Sequence, residues 1–205
     1  MAAEVFPALD VLRMRCPNLY RLEPSGLMNV KSEFLSRWSC ITDLKADDGV
    51  TFSSDNPNSV IKMPLERLDW DIVSRTTVPG THDTGLAKST FSHLRFLRLE
   101  FRGDSKDRYQ ILHQMCEGLP ILNDLQLNYT FFSDIPASLS ISDFPSVKFL
   151  HIHEEIHPSH GNLLRNLSQF FTPRDPATLN IQRISLLIFA ENSLIDNMPI
   201  SKMSI

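Results

Sequence analysis

The phrase Leu122-Asn123-Asp124-Leu125-Gln126-Leu127 limits what this chain can fold into more than any other feature. Taken alone it is a short amphipathic strand, because successive side chains of a strand alternate faces: Leu125 and Leu127 point one way, Asp124, Gln126 and Asn128 the other. The same L-x-x-L-x-L spacing returns at Leu19, Ile41, Leu65, Leu94, Val147 and Ile181. From Leu19 through Leu122 to Ile181 the first positions lie 22, 24, 29, 28, 25 and 34 residues apart. Such an interval holds one strand and one connection, a unit too small to bury its apolar side alone. Stacked units would share a continuous parallel sheet and one core.

The intervening segments fit that plan. Val5, Leu9 and Leu12 have helical spacing, and Pro7 is tolerable in a first turn. Phe6 to Leu12 also fits the strand phrase, but Leu9 and Leu19 are only 10 residues apart, too close for two repeats, so the earlier segment is read as a helix. Leu27, Val30 and Phe34 fall on one helical face, as do Ile111, Leu112 and Met115. Leu163, Leu167, Phe170 and Phe171 form the clearest one. The other connections read as loops. The expectation is a single domain over residues 1–205, with a capping helix at 1–15, repeats at 16–190 and a tail at 191–205.

The phrasing P-x-L-x-x-L-x-L and the irregular repeat lengths resemble leucine-rich-repeat proteins over about residues 5 to 190. With a helix running into Cys16-Pro17-Asn18-Leu19, they look most like the repeat region of F-box/leucine-rich-repeat proteins. The resemblance implies an α/β solenoid, a horseshoe of about seven irregular repeats, with a parallel concave sheet and convex helices and loops. It implies a non-enzymatic scaffold that binds a protein partner on the concave face. In that family the role is substrate recognition for ubiquitin ligation, inside the cell, in cytoplasm or nucleus. Two departures stand out. The positions where many such repeats place an Asn or Cys ladder hold Gly49, Val73, Arg102, Thr130, Glu155 and Phe189. No F-box is legible ahead of the first repeat, which leaves a non-functional fragment of a longer repeat protein as an alternative.

Composition narrows the partners. A formal net charge of -4 gives no electrostatic footprint for nucleic acid or for an anionic membrane, so neither is expected. No apolar run is long enough to span a bilayer. Cys16, Cys40 and Cys116 are odd in number and widely spaced, which favours buried thiols in a reducing compartment over disulfides or a zinc site. Asn128-Tyr129-Thr130 and Asn166-Leu167-Ser168 match the glycosylation pattern and are read as chance.

Stacking the repeats turns the outward strand positions into columns. The first column reads Arg21, Asp43, Arg67, Phe96, Asp124, Phe149, Arg183, and the second Glu23, Lys45, Asp69, Arg98, Gln126, His151, Ser185. A third begins Ser25, Asp47, Asp71, Glu100, Asn128, His153. The expected partner-binding set is the central part: Arg67, Asp69, Asp71, Phe96, Arg98, Glu100, Asp124, Gln126, Asn128, Phe149, His151 and His153. Its mixed charge would orient a partner, and exposed Phe96 and Phe149 would anchor it. Asp47, Asp71 and Glu100 would form an acidic stripe.

Three chemical motifs compete with this reading. His151, His153, His157 and His160 invite a metal, yet zinc needs three or four converging ligands and no cysteine lies near in sequence, so no metal or other cofactor is expected. Val78-Pro79-Gly80-Thr81-His82-Asp83-Thr84-Gly85 resembles the segment carrying the first catalytic histidine of bacterial-type phosphatidylinositol phospholipases C. That resemblance implies a phosphodiesterase with His82 as general base, the alternative to a non-enzyme. It lacks a second histidine motif, and that barrel fold needs more chain. Asp69-Trp70-Asp71 spells D-x-D, too short a pattern to carry a metal-dependent transfer.

Overall fold

The computed structural model describes residues 6–26, 28–47, 49–54, 61–73, 90–102, 112, 115, 119–128, 140–156, 163–172 and 180–190. In chain order the elements are α1 (Phe6–Arg15), β1 (Arg21–Leu22), β2 (Met28–Lys31), α2 (Ser32–Arg37), β3 (Asp43–Ala46), β4 (Val50–Ser53) and β5 (Arg67–Val73). They continue with β6 (Phe96–Arg102), β7 (Asp124–Asn128), a 3₁₀ turn at Ile141–Asp143, β8 (Phe149–Ile156), α3 (Leu163–Phe171) and β9 (Arg183–Ala190). It is an α/β fold, with few helices among the described residues.

Seven strands make one open sheet in the order β1-β3-β5-β6-β7-β8-β9, every neighbour parallel. Sequence order is therefore spatial order, as stacked strand-plus-connection units require. β2 and β4 pair in a separate two-stranded parallel ladder. The register is the one the phrase predicts: Arg21, Asp43, Arg67, Phe96, Asp124, Phe149 and Arg183 are successive partners.

A repeated hydrogen-bond device sets that register. The carbonyl of Tyr20 accepts from the N–H groups of both Thr42 and Asp43, and Thr42, Glu66, Arg95, Asn123 and Lys148 do the same for the next strand. One carbonyl holding two successive donors pins the start of each strand to its neighbour. The leucines then stack behind the sheet. Leu44, Leu68, Leu97, Leu125 and Leu150 are completely buried, as are Leu65 and Leu94 one position-set earlier and Trp70, Leu99, Leu127 and Ile152 one later. Each such side chain contributes about 1.5–3 kcal/mol of transfer free energy, which makes this stack the main source of stability.

A second element of the repeat is an aromatic brace. Trp38, Phe91 and Phe144 stand three residues before Ile41, Leu94 and Val147, are buried, and accept the N–H of those residues through their carbonyls at 3.0–3.2 Å. Leu119 holds the equivalent buried position before Leu122. These large side chains fill the space under the turn that launches each strand.

The connections differ in part from expectation. α1 forms as read, with Leu9 and Leu12 packed against the core. The proposed helical face of Leu27, Val30 and Phe34 is divided: Val30 lies in β2 and only Phe34 is in a helix, α2. β-branched Val30 sits buried in a strand that pairs with β4, so tertiary pairing outweighs the local 3.6-residue pattern. Leu112 and Met115 are helical and buried, while Ile111 lies outside the described residues. α3 buries Leu167 and Phe170, with Phe171 edge-on to Phe170 at 5.4 Å.

The missing ladder has a structural counterpart. Val73, Arg102 and Phe189, which stand at ladder positions, are strand residues, so β5, β6 and β9 run on where a turn was expected. At Gly49 the turn survives by another route. The Asp47 carboxylate accepts from the N–H groups of Gly26 and Gly49, both at 3.1 Å, and Gly49 lies so close to Gly26 that a Cβ would meet its carbonyl oxygen at 2.4 Å.

Candidate functional site on the polar face of the sheet

The residues that alternate with the leucines lie on the opposite face of the sheet, and the parallel register brings them together as rows. Asp69 partners Arg98, then Gln126, His151 and Ser185. Asp71 partners Glu100, then Asn128, His153 and Leu187. All twelve residues of the expected set are described and lie on this face. Asp47 does not extend the acidic stripe: it follows the end of β3, and its carboxylate is engaged by the two glycine amides.

Arg98 is the hub. Its Nη1 donates to Asp69 and lies 3.4 Å from Asp71 Oδ1, while Nη2 donates to Glu100. With the Asn128 carboxamide assigned so that its oxygen faces the guanidinium, that oxygen accepts from Nη2 at 3.2 Å and Nε at 3.0 Å. The reverse assignment would accept from Gln126 Nε2 at 3.2 Å but turn an NH₂ toward a cation, so the first is the physical choice. A planar five-donor fork suits such a task, and a lysine could not reach all four groups. Burial disfavours the Arg98 charge, but the Asp69 hydrogen bond and the charges of Asp69, Glu100 and Asp71 outweigh it, and its pKa is raised above the ordinary value.

This cluster is more enclosed than an ordinary solvated sheet face. Glu100 and Asn128 are buried at 3% and 5% exposure, although both project from the polar side. The reason is the hub itself, since Arg98 lies across its neighbours and screens them. Trp70, the middle residue of the D-x-D triplet, is fully buried behind the sheet, while both carboxylates hold Arg98.

The first column is built on stacking. The Arg67 guanidinium lies 3.5 Å from the centroid of the Phe96 ring, and that of Arg183 lies 6.0 Å from Phe149. Phe96 and Phe149 are therefore half-buried rather than bare anchors. At the far end Arg21 pairs with Glu23 at 2.6 Å and approaches Asp43 at 3.7 Å. Arg183 stands in the first column beside Phe149, outside the central set, and joins the site through its contact with that ring.

Asp124 Oδ1 is 3.7 Å from His151 Nε2 and makes no hydrogen bond. His153 is partly buried, and burial, then the neighbouring charges of His151 and Arg98, lowers its pKa below the usual value. His157 and His160 lie outside the described residues, and among the described residues no group of three or more His, Cys, Asp or Glu could hold a metal ion. His82 and Asp83 also lie outside them.

Two smaller expectations are settled differently. Cys16 and Cys40 are exposed, because both occupy the turns that precede strands rather than the leucine stack; Cys116 lies outside the described residues. Asn128 and Asn166 of the two glycosylation triplets are buried, Asn128 against Arg98 and Asn166 in α3, where a glycan has no room. No helix among the described residues is long and apolar enough to cross a membrane. Compared with known proteins, the chain matches no family model, no curated protein and no solved structure.

Proposed function

We propose that this chain is a leucine-rich-repeat solenoid whose polar sheet face, the concave side of the horseshoe, binds another protein without catalysing a reaction. The observation that carries the proposal is the cross-strand ordering of that face. Four side chains from three strands converge on Arg98, and arginines stack on Phe96 and Phe149. Groups already locked by their neighbours lose little conformational entropy when a partner arrives. Arginine paired with an aromatic ring is also the chemistry enriched where interfaces derive most of their energy. The repeat assignment is supported by the sequential parallel sheet and its one-column register. By its resemblance to F-box/leucine-rich-repeat proteins, the partner would be a substrate presented for ubiquitin ligation.

The test compares proteins captured by the wild type with those captured by Arg67→Glu/Phe149→Ala/His151→Ala. These side chains are half-exposed or exposed and lie opposite the leucine stack. A partner that binds the purified wild type, and is lost from the triple variant at unchanged thermal stability, supports the proposal. A partner set identical for both proteins removes it.

A further inference from the structure

The last strand of the sheet is built unlike the others. In β5 to β8 the core-facing leucines are completely buried, but of the core-facing residues of β9 Ile184 is 41% exposed and Leu186 and Ile188 are only partly covered; on the polar face Leu187 is partly covered and Phe189 47% exposed. Across its eight residues, Arg183-Ile184-Ser185-Leu186-Leu187-Ile188-Phe189-Ala190, there is one charge, no proline and no glycine. Apart from Arg183, the strand itself carries none of the residues that usually blunt an exposed edge. β9 pairs with β8 on one side and, among the described residues, has no strand on the other.

The geometry points to a second copy of this chain as the occupant: β9 pairs antiparallel with β9 of the other copy across a twofold axis normal to the sheet. The Arg183 N–H donates to Lys148 on the β8 side. In a parallel ladder the donors alternate, so the amides of Ile184, Leu186 and Ile188 face the free edge. These are also the residues whose side chains face the core. A twofold centred on Leu186 therefore sets Leu186 opposite itself and Ile184 opposite Ile188, in hydrogen-bonded pairs with the apolar side chains on one face. On the other face Arg183 falls opposite Phe189 of the second copy, so the strip's one charge meets a ring. The two Arg183 side chains then stand about 20 Å apart along the strands, beyond the roughly 8 Å screening length of physiological salt, and do not repel. Stacking copies head to tail instead would place β9 against β1, which offers only two residues. An antiparallel edge pair on an otherwise parallel sheet is a common arrangement.

Sedimentation velocity of the purified full chain across the micromolar range tests this, with two substitutions. Leu186→Pro removes an edge-facing N–H without touching the β8 ladder and should weaken the dimer by at least roughly thirtyfold, the loss of two symmetry-related hydrogen bonds. Leu186→Cys, in a background of Cys16→Ser, Cys40→Ser and Cys116→Ala, should form an intermolecular disulfide on mild oxidation, because directly opposed Cα atoms lie about 5.5 Å apart. Leu187→Cys in the same background should not, its Cα atoms being about 8 Å apart in this register. A wild type that stays monomeric overturns the inference and leaves residues 191–205 or another protein's strand as the cover. A dimer unaffected by Leu186→Pro, or one cross-linked equally through residue 187, also overturns it. If Leu186→Pro does not fold, the two cysteine variants decide alone.

Discussion

Replacing Arg98 with alanine is the sharpest test of how the polar face is held. The guanidinium is shared by Asp69, Asp71 and Glu100, whose side chains are 14%, 17% and 3% exposed, while that of Arg98 is 22% exposed. Removing the cation leaves three carboxylates together in a poorly solvated place. Deleting one partner of a buried ion pair costs about 3–5 kcal/mol, and the residual exposure here favours the lower end, about 3 kcal/mol. For a chain of this length each kcal/mol moves Tm by roughly 2–4 °C, so Arg98→Ala should melt about 9 °C below wild type at neutral pH. Arg98→Lys keeps the charge but not the fork, and should lose about half as much. Differential scanning fluorimetry at neutral pH reads both effects. An Arg98→Ala protein melting within about 2 °C of wild type at neutral pH refutes a desolvated, charge-paired cluster, since an exposed pair is worth at most about 1 kcal/mol.

Asp47→Ala should destabilise by about 1–3 kcal/mol in chemical denaturation, because the amides of Gly26 and Gly49 lose their shared acceptor. Gly49→Ala should cost at least about 1–3 kcal/mol in the same assay, since its Cβ would meet backbone rather than a movable side chain. His153, with its folded-state pKa lowered by burial and by neighbouring charge, stabilises the fold above its unfolded pKa of about 6.5, and that contribution is lost as pH falls through 6.5 toward the folded value. His153→Gln should accordingly flatten the decline of Tm between neutral pH and pH ~5.5, and an unchanged slope would show that the imidazole is not desolvated.

Much of the architecture was readable because two periods do not compete. The strand alternation of two and the L-x-x-L-x-L spacing together set which residue faces which side. The first column, from Arg21 to Arg183, consequently appears in the structure partner for partner. The brace at Trp38, Phe91 and Phe144 was present in the sequence as a bulky residue three positions ahead of the phrase. Periodicity does not reveal its purpose, which depends on the turn that launches each strand. Val30 shows the opposite failure. Its helical spacing with Phe34 is real, but spacing does not register that β4 offers it a strand to pair with.

The candidate site divides in the same way. Which residues share the polar face follows from alternation and register, and so was determined by the sequence alone. Which of them touch follows from the tertiary structure. Asp69 lies in the row of Arg98, whereas Asp71 and Glu100 lie in the next row, and side-chain length and the spacing of neighbouring strands decide that one guanidinium reaches all three. The same holds for the partial exposure of β9: Ile184 and Leu186 match the repeat phrase, but among the described residues no strand stands beyond β9 to cover them. A pattern in one dimension records what each residue can bury; how much it does bury depends on whether a neighbouring strand stands beside it.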